Sequence, residues 1–84
     1  MQKIRVIELF AGVGGFRVGM EGFPKKKDSK YEVVWSNQWE PNKQIQHAAN
    51  IYRKCWPKNS DRHLSNDDIN TIKTKDIPDY DILT

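Results

Sequence analysis

The chain has 84 residues, of which 14 are Lys or Arg and 11 are Asp or Glu, so its formal net charge is +3. Hydrophobic residues make up 37% and charged residues 30% of the chain, a balance that is typical of one small globular unit and excludes a disordered tail. No run of about 18 apolar residues occurs, which excludes a transmembrane helix. The single cysteine, Cys55, excludes an internal disulfide framework and a multi-cysteine metal site. We therefore expect a cytoplasmic protein.

The first predicted element is a buried parallel strand over residues 4–10, which are rich in β-branched and large apolar side chains. It leads directly into a glycine-rich turn over residues 12–15. A short helix is predicted over residues 16–21, since Gly22 and Pro24 follow it and end it. The next connection contains three consecutive lysines at residues 25–27, which we interpret as part of a solvated loop.

A second strand is predicted over residues 31–36, where apolar and polar side chains alternate. A helix is then expected to begin at Pro41, because proline suits the first helical position, and to end before Pro57. An apolar stripe marks the buried face of this helix, and its members are Ile45, Ala48, Ala49, Tyr52 and Trp56.

The last third of the chain is predicted to contain a loop over residues 57–66, a strand end near residues 67–69, a helical turn over residues 71–75 and a strand over residues 80–84. Strands thus alternate with helices along the whole chain. This order predicts an α/β fold, namely the opening βαβαβ portion of a doubly wound, Rossmann-like parallel sheet.

The glycine-rich turn is the first candidate binding segment. Glycine has no Cβ, so a turn between a strand and a helix that contains Gly12, Gly14 and Gly15 lets backbone N–H groups approach a ligand. The dinucleotide fingerprint needs a further glycine at position 17, where this chain has Arg17, so a pyrophosphate ligand is disfavoured. Taken by itself, the segment also fits a tight turn that binds nothing.

Two more candidate segments follow the second strand and the residue 57–66 loop. Gln38, Trp39 and Glu40 lie where such sheets bind ribose hydroxyls, and Trp39 has the right ring to stack on adenine. Alternatively, Glu40 caps the next helix and Trp39 fills the core. Asp68 and Ile69 suit the amine and the ring of adenine, or else form an ordinary Asx turn.

Together these segments resemble the DNA (cytosine-5) methyltransferase family. The resemblance is carried by ELFAGVGGFR at residues 8–17, SNQWEP at residues 36–41, and DDI at residues 67–69 followed by IPDYDIL at residues 77–83. The segments occur in the family's order, and the resemblance extends from residue 4 to residue 84.

The resemblance implies S-adenosyl-L-methionine as cofactor and C5 of cytosine in double-stranded DNA as methyl acceptor, in a prokaryotic restriction-modification system. It implies that Gln38 binds the ribose, where the family commonly has a glutamate whose charge makes a stronger hydrogen bond. The other implied cofactor contacts are Phe10, Ala11, Gly12, Val13, Gly14 and Gly15 for methionine and ribose, Trp39 for adenine or ribose, and Asp68 and Ile69 for adenine.

The resemblance also implies that the catalytic residues lie elsewhere. The family's nucleophilic cysteine belongs to a Pro-Cys loop just after the strand that here reaches Thr84, and no residue of this chain takes its role. Cys55 is expected on the buried side of its helix and inert, and His47 and His63 are expected at the surface without metal-ligand spacing.

We therefore expect residues 1–84 to be the N-terminal part of a catalytic domain, inactive without a C-terminal remainder or a complementary subunit. The same residues leave two alternatives open. One is a methyltransferase of another substrate class, and the other is a non-catalytic fragment that binds the cofactor.

Overall fold

The architecture is a parallel sheet with helices, as seen in a computed structural model that describes residues 2–58 and 63–84. The elements are β1 (Ile4–Glu8), α1 (Gly15–Glu21), β2 (Tyr31–Asn37), α2 (His47–Cys55), β3 (Leu64–Ser65) and β4 (Ile82–Leu83), with short 3₁₀ turns at Ile69–Thr71 and Thr74–Asp76. The four strands lie in the order β3-β2-β1-β4, and every pair is parallel. The predicted α/β class is confirmed.

Strand β1 is one of the two central strands of the sheet. It pairs with β2 from Ile4, opposite Tyr31, to Glu8, opposite Ser36, and pairs with β4 on its other side. Val6, Ile7 and β2 residue Val33 are almost fully buried, as expected for a strand with neighbours on both sides. Because parallel strands end at the same edge of a sheet, the segments that follow β1, β2 and β3 all emerge together.

Helix α1 buries two charged side chains that pair with each other within the helix, and one of them also binds the sheet. Arg17 and Glu21 are 1% and 0% exposed, and the Arg17 Nε donates to Glu21 Oε1 at 2.9 Å. The other Glu21 oxygen accepts from the backbone N–H of Val33 on β2 at 2.6 Å. Phe16 and Val18 of the same helix are largely exposed, so charge pairing replaces the apolar face that a surface helix usually buries.

Helix α2 packs through a small apolar cluster formed by Ala49, Tyr52, Trp56 and Leu64. Cys55 and Ala11 lie against this cluster and are only partly buried. Cys55 was expected to be buried, but it is only half-buried. His47 is exposed, as expected, whereas His63 is half-buried.

The predicted start of α2 at Pro41 is wrong, because the helix begins at His47. Asn42 has a φ of 62°, in the left-handed region that a right-handed helix does not use. The Gln46 side chain then holds the segment in a turn, accepting from the Glu40 N–H at 2.7 Å and donating to the Glu40 carbonyl at 2.9 Å. Ile45 is consequently outside the helix and 60% exposed, not part of its buried stripe.

Three further boundaries differ from the prediction. The first strand ends at Glu8 because Phe10, with a φ of 53°, leaves the extended conformation. The predicted loop over residues 57–66 contains β3, whose two residues are too few to show an alternating pattern, while residues 59–62 lie outside the described part. The helical turn expected over residues 71–75 is replaced by two 3₁₀ turns.

Within residues 2–58 and 63–84, no helix has the length and apolar character needed to cross a bilayer.

Removing the Glu21 carboxylate tests how α1 is held. In the full-length protein, Glu21→Ala leaves the Arg17 guanidinium buried without its ion partner and the Val33 N–H without its acceptor. We expect the free energy of unfolding in urea to fall by about 3–5 kcal/mol for Glu21→Ala. The free energy of unfolding should fall less for Glu21→Gln, because the glutamine amide oxygen can still accept a hydrogen bond from the Val33 N–H. The exposed Asp28→Ala is the matched control, with an effect within about 0.5 kcal/mol. Similar losses for Glu21→Ala and Asp28→Ala would contradict this account.

Candidate functional site

The turn after β1 is fixed in an unusual backbone conformation. Phe10, Gly12 and Gly14 all have positive φ angles, of 53°, 61° and 96°. Glycine adopts this region freely, but Phe10 does so at a cost of about 1–2 kcal/mol. Backbone hydrogen bonds hold both of its neighbours, from the Leu9 N–H to the Thr84 carbonyl and from the Ala11 N–H to the Asn37 carbonyl, each at 2.9 Å. The Phe10 ring is directed outward and is 75% exposed.

Gln38 supports this turn from the end of β2. Its side-chain oxygen accepts a hydrogen bond from the Gly12 N–H at 2.7 Å. Its backbone N–H donates to the Ser65 carbonyl at 3.0 Å, and its carbonyl accepts from the Asn66 side chain. Gln38 therefore links the glycine-rich turn to the end of β3, and its amide oxygen is already used within the protein.

The glycines of the turn have different surroundings. A Cβ at Gly14 would lie 2.3 Å from the Trp56 ring, so only glycine lets the turn rest directly on α2. A Cβ at Gly12 or Gly15 would meet no atom within 4 Å. The turn thus has one side closed by Trp56 and one side open, and the open side is the one a ligand can approach.

A pocket of about 470 Å³ lies between the turn and the segments after β2 and β3, a size within the range of ligand sites in proteins. Its lining residues are Phe10, Asn37, Trp39, Pro41, Asp68, Ile69 and Asn70. Four of them were predicted as site residues from the sequence, namely Phe10, Trp39, Asp68 and Ile69. Trp39 is 36% exposed at this pocket and does not fill the core, which removes the structural alternative for that residue.

Asp68 combines a local structural role with a place in the pocket. Its Oδ1 accepts from the Asn70 N–H at 3.0 Å, and its carbonyl accepts from the Thr71 hydroxyl at 2.7 Å. The predicted Asx-type turn is therefore present. The hydrogen bond from Asn70 also holds the carboxylate in the pocket wall, where its remaining lone pairs can accept from a ligand.

The remaining predicted site residues lie around the turn and not in the pocket wall. Val13 and Gly15 are exposed, Gly14 rests on Trp56, and Ala11 packs against the α2 cluster. Cys55 lines a separate cleft with Arg17 and Lys58, and no group of His, Cys, Asp or Glu within the described residues could hold a metal ion.

A buried polar network beneath the turn was missed by the sequence analysis. Glu8, at the end of β1, is 1% exposed, and its Oε1 accepts from the Tyr52 hydroxyl at 2.8 Å and from the Ser36 hydroxyl at 2.9 Å. The Tyr52 hydroxyl also accepts from Arg17 Nη1 at 3.1 Å. The only signal in the sequence was a carboxylate at the end of a strand rich in apolar side chains, and Tyr52 was assigned to an apolar stripe.

Burial governs the protonation of this network. It raises the pKa of Glu8 above its ordinary value, and the hydrogen bonds from Tyr52 and Ser36 offset this only in part. The pKa of Tyr52 is also raised, first by burial and then by the nearby Glu8 carboxylate. Glu8 Oε2 is buried without a hydrogen-bond partner among the described residues, so the folded protein stabilises the ionised carboxylate less well than water does.

The match to known proteins covers nearly the entire chain. The model of the C-5 cytosine-specific DNA methylase family matches residues 4–84. The chain belongs to this family. Among curated members of related sequence, the Type II methyltransferase M.Sau3AI of Staphylococcus aureus is 54% identical over 54 residues, which are 64% of this chain and 12% of the relative.

Two further relatives match over a longer part of the chain. Type II methyltransferase M.Bsp6I of Bacillus sp. (strain RFL6) is 35% identical over 95% of this chain and 21% of its own length. Type II methyltransferase M.HaeII of Haemophilus aegyptius is 36% identical over 99% of this chain and 21% of its own length. The chain therefore spans between 12% and 21% of the length of these three relatives. No solved structure gives a significant match to it.

The raised pKa of Glu8 predicts a pH-dependent stability. The folded protein binds the Glu8 proton more tightly than the unfolded chain, whose pKa is close to 4.5, so above that pH the folded state retains more protons and loses stability as pH rises. Glu8→Gln keeps the acceptor oxygen and cannot ionise. We expect urea unfolding of the full-length protein to show wild type losing stability relative to Glu8→Gln as the pH rises above about 4.5. A difference that is constant with pH, or that changes in the opposite direction, would contradict the assignment.

Proposed function

We propose that residues 1–84 are the N-terminal, cofactor-binding part of the catalytic domain of a DNA (cytosine-5) methyltransferase. The whole protein would transfer methyl from S-adenosyl-L-methionine to C5 of cytosine in double-stranded DNA, within a prokaryotic restriction-modification system. Family membership supports this proposal, as do the relatives, each of which is named a Type II methyltransferase.

The observation that carries the proposal is the pocket formed by Phe10, Trp39, Asp68 and Ile69. These residues come from the segments after β1, β2 and β3, and they combine two aromatic rings, one aliphatic side chain and one carboxylate. Adenine needs such a set, because its ring is apolar on both faces and its exocyclic amine is a hydrogen-bond donor that a carboxylate accepts. We assign the adenosine part of the cofactor to this pocket.

The glycine-rich turn is assigned to the methionine and ribose parts. We assign Ala11, Gly12, Val13, Gly14 and Gly15 to this role because the turn has open space at two of them: no atom lies within 4 Å of a Cβ built at Gly12 or Gly15. For Gln38 the amide oxygen is bound to Gly12, so we assign its amide nitrogen to the ribose hydroxyls. This reverses the usual direction of the bond, since an amide N–H donates where a glutamate would accept.

The reaction divides between this chain and the remainder of the enzyme. The bound cofactor supplies an electrophilic methyl group, and these residues bind and orient it. A thiolate that attacks C6 of a flipped-out cytosine, and a carboxylate that assists at the ring, belong to the C-terminal remainder. We assign no catalytic role to Cys55, since it is half-buried against the α2 cluster and lines a different cleft.

An uncovered apolar surface supports the view that the sheet is part of a larger domain. A cleft of about 710 Å³ lies on the sheet beside β1 and β4, and its apolar lining includes Ile7, Leu9, Ile72, Ile77 and Leu83. Parallel sheets are normally covered on both faces. We therefore propose that the remainder of the domain covers this surface.

Asp68→Asn tests the adenosine pocket in the full-length protein. The asparagine oxygen can still cap the 3₁₀ turn, but its amide nitrogen then faces the adenine amine, so two donors meet. We expect calorimetry to show binding of S-adenosyl-L-methionine weakened by about 1–3 kcal/mol, with little change in stability.

Asp67→Asn is the matched control, because the Asp67 carboxylate is exposed and lines a different cleft. The affinity of this variant for S-adenosyl-L-methionine should equal that of wild type. Equal affinity of Asp68→Asn and wild type would remove Asp68 from the site. Tight binding of NAD in place of S-adenosyl-L-methionine would overturn the proposed function.

A further inference from the structure

We propose that the Tyr52 hydroxyl is a positioning group that holds the glycine-rich turn in its cofactor-binding conformation and thereby sets cofactor affinity. Tyr52 is fully buried on α2 and is not among the residues that line the pocket. Any effect on the cofactor must therefore pass through the groups that it touches. The inference rests on the proposed function for its link to the cofactor, and on the geometry alone for its link to the turn.

The hydroxyl joins three elements at one point. It donates to Glu8 Oε1 at the end of β1 at 2.8 Å, accepts from Arg17 Nη1 on α1 at 3.1 Å, and lies 2.7 Å from the Ser36 hydroxyl on β2. Because Ser36 also donates to Glu8 at 2.9 Å, the ends of β1 and β2 are tied through the same carboxylate. Without the Tyr52 hydroxyl, Arg17 Nη1 loses an acceptor and Glu8 loses one of two donors.

The fixed end of β1 matters because the strained part of the turn begins two residues later. Phe10 adopts its left-handed conformation only if the backbone on both sides is held in place. On one side is Glu8, bound to Tyr52 and Ser36. On the other side of Phe10, the Ala11 N–H donates to the Asn37 carbonyl at 2.9 Å, and Asn37 directly follows Ser36. A shift of Glu8 relative to Ser36 therefore moves Phe10, a wall of the pocket.

The aromatic ring of Tyr52 supports the other end of the turn. Its centroid lies 4.7 Å from that of Trp56, and the Trp56 ring is directly beneath Gly14. Replacing tyrosine by phenylalanine keeps this ring contact and removes only the hydroxyl. The substitution thus separates the polar positioning role from the packing role.

The test compares Tyr52→Phe with Tyr31→Phe in the full-length protein. Tyr31 lies at the opposite, amino end of β2, so its hydroxyl serves as the matched control. For Tyr52→Phe we expect the Kd for S-adenosyl-L-methionine, measured by calorimetry well below the melting temperature, to rise about tenfold. The kcat at saturating cofactor should stay within about twofold of wild type, because no group that touches the reactants is removed.

Hydrogen exchange without any ligand provides a second readout. The amides of Gly12 and Gly14, which donate to Gln38 Oε1 and to the Ala11 carbonyl, should exchange faster in Tyr52→Phe than in Tyr31→Phe. If Tyr52→Phe does not fold, Ser36→Ala removes the other donor to Glu8 and should give the same pattern of raised Kd and faster exchange.

The outcomes separate the two proposals. A lower melting temperature for Tyr52→Phe, with unchanged Kd and unchanged exchange at the turn, would show a purely structural tyrosine and overturn the inference. Failure of wild type to bind S-adenosyl-L-methionine would overturn the proposed function and the link to affinity, while the exchange data would still decide whether Tyr52 positions the turn.

Discussion

The parallel pairing of β2 with both of its neighbours, β1 and β3, is the constraint on which the site depends. Since β1, β2 and β3 all run the same way, the segments that follow them emerge at one edge. Residues that are far apart in sequence, such as Phe10, Trp39 and Asp68, can then line a single pocket. In an antiparallel sheet of the same strands, consecutive loops would leave from opposite edges and these side chains would be separated.

Buried charge couples this edge to the stability of the fold. Glu8, Arg17 and Glu21 are almost completely buried in a chain whose apolar cluster is small. Each charge is costly to bury and is offset by specific partners: Glu8 by two hydroxyls, Arg17 by Glu21 and Tyr52, and Glu21 also by a backbone N–H. Such a network tolerates little displacement, so the groups that stabilise the helices also fix the geometry of the turn.

Much of the fold and of the pocket was predictable from the sequence, because both depend on local signals. The apolar run before the glycines, the alternation at β2 and the order of the motifs predicted the sheet, and the motif residues Phe10, Trp39, Asp68 and Ile69 do meet in one pocket. These features need only the identity of nearby residues.

The features that were missed depend on specific side-chain contacts, which the pattern of apolar residues does not show. The Gln46 side chain delays the start of α2 by binding the backbone of Glu40, a contact that no helical periodicity reveals. The contact of Arg17 with Tyr52 was missed because Tyr52 lies on a different helix, 35 residues away. Gln38 was predicted only as a ribose ligand, whereas its side-chain oxygen accepts a hydrogen bond from the N–H of Gly12, 26 residues earlier.

The most direct test of the central claim is the position of the bound cofactor in solution. Intermolecular nuclear Overhauser effects can be measured between the adenine protons of S-adenosyl-L-methionine and the side chains of the full-length protein. We predict contacts from the adenine ring to Trp39, Phe10 and Ile69, which line one pocket. Contacts from adenine to the cleft beside Cys55 and Lys58, with none to Trp39 or Ile69, would contradict it.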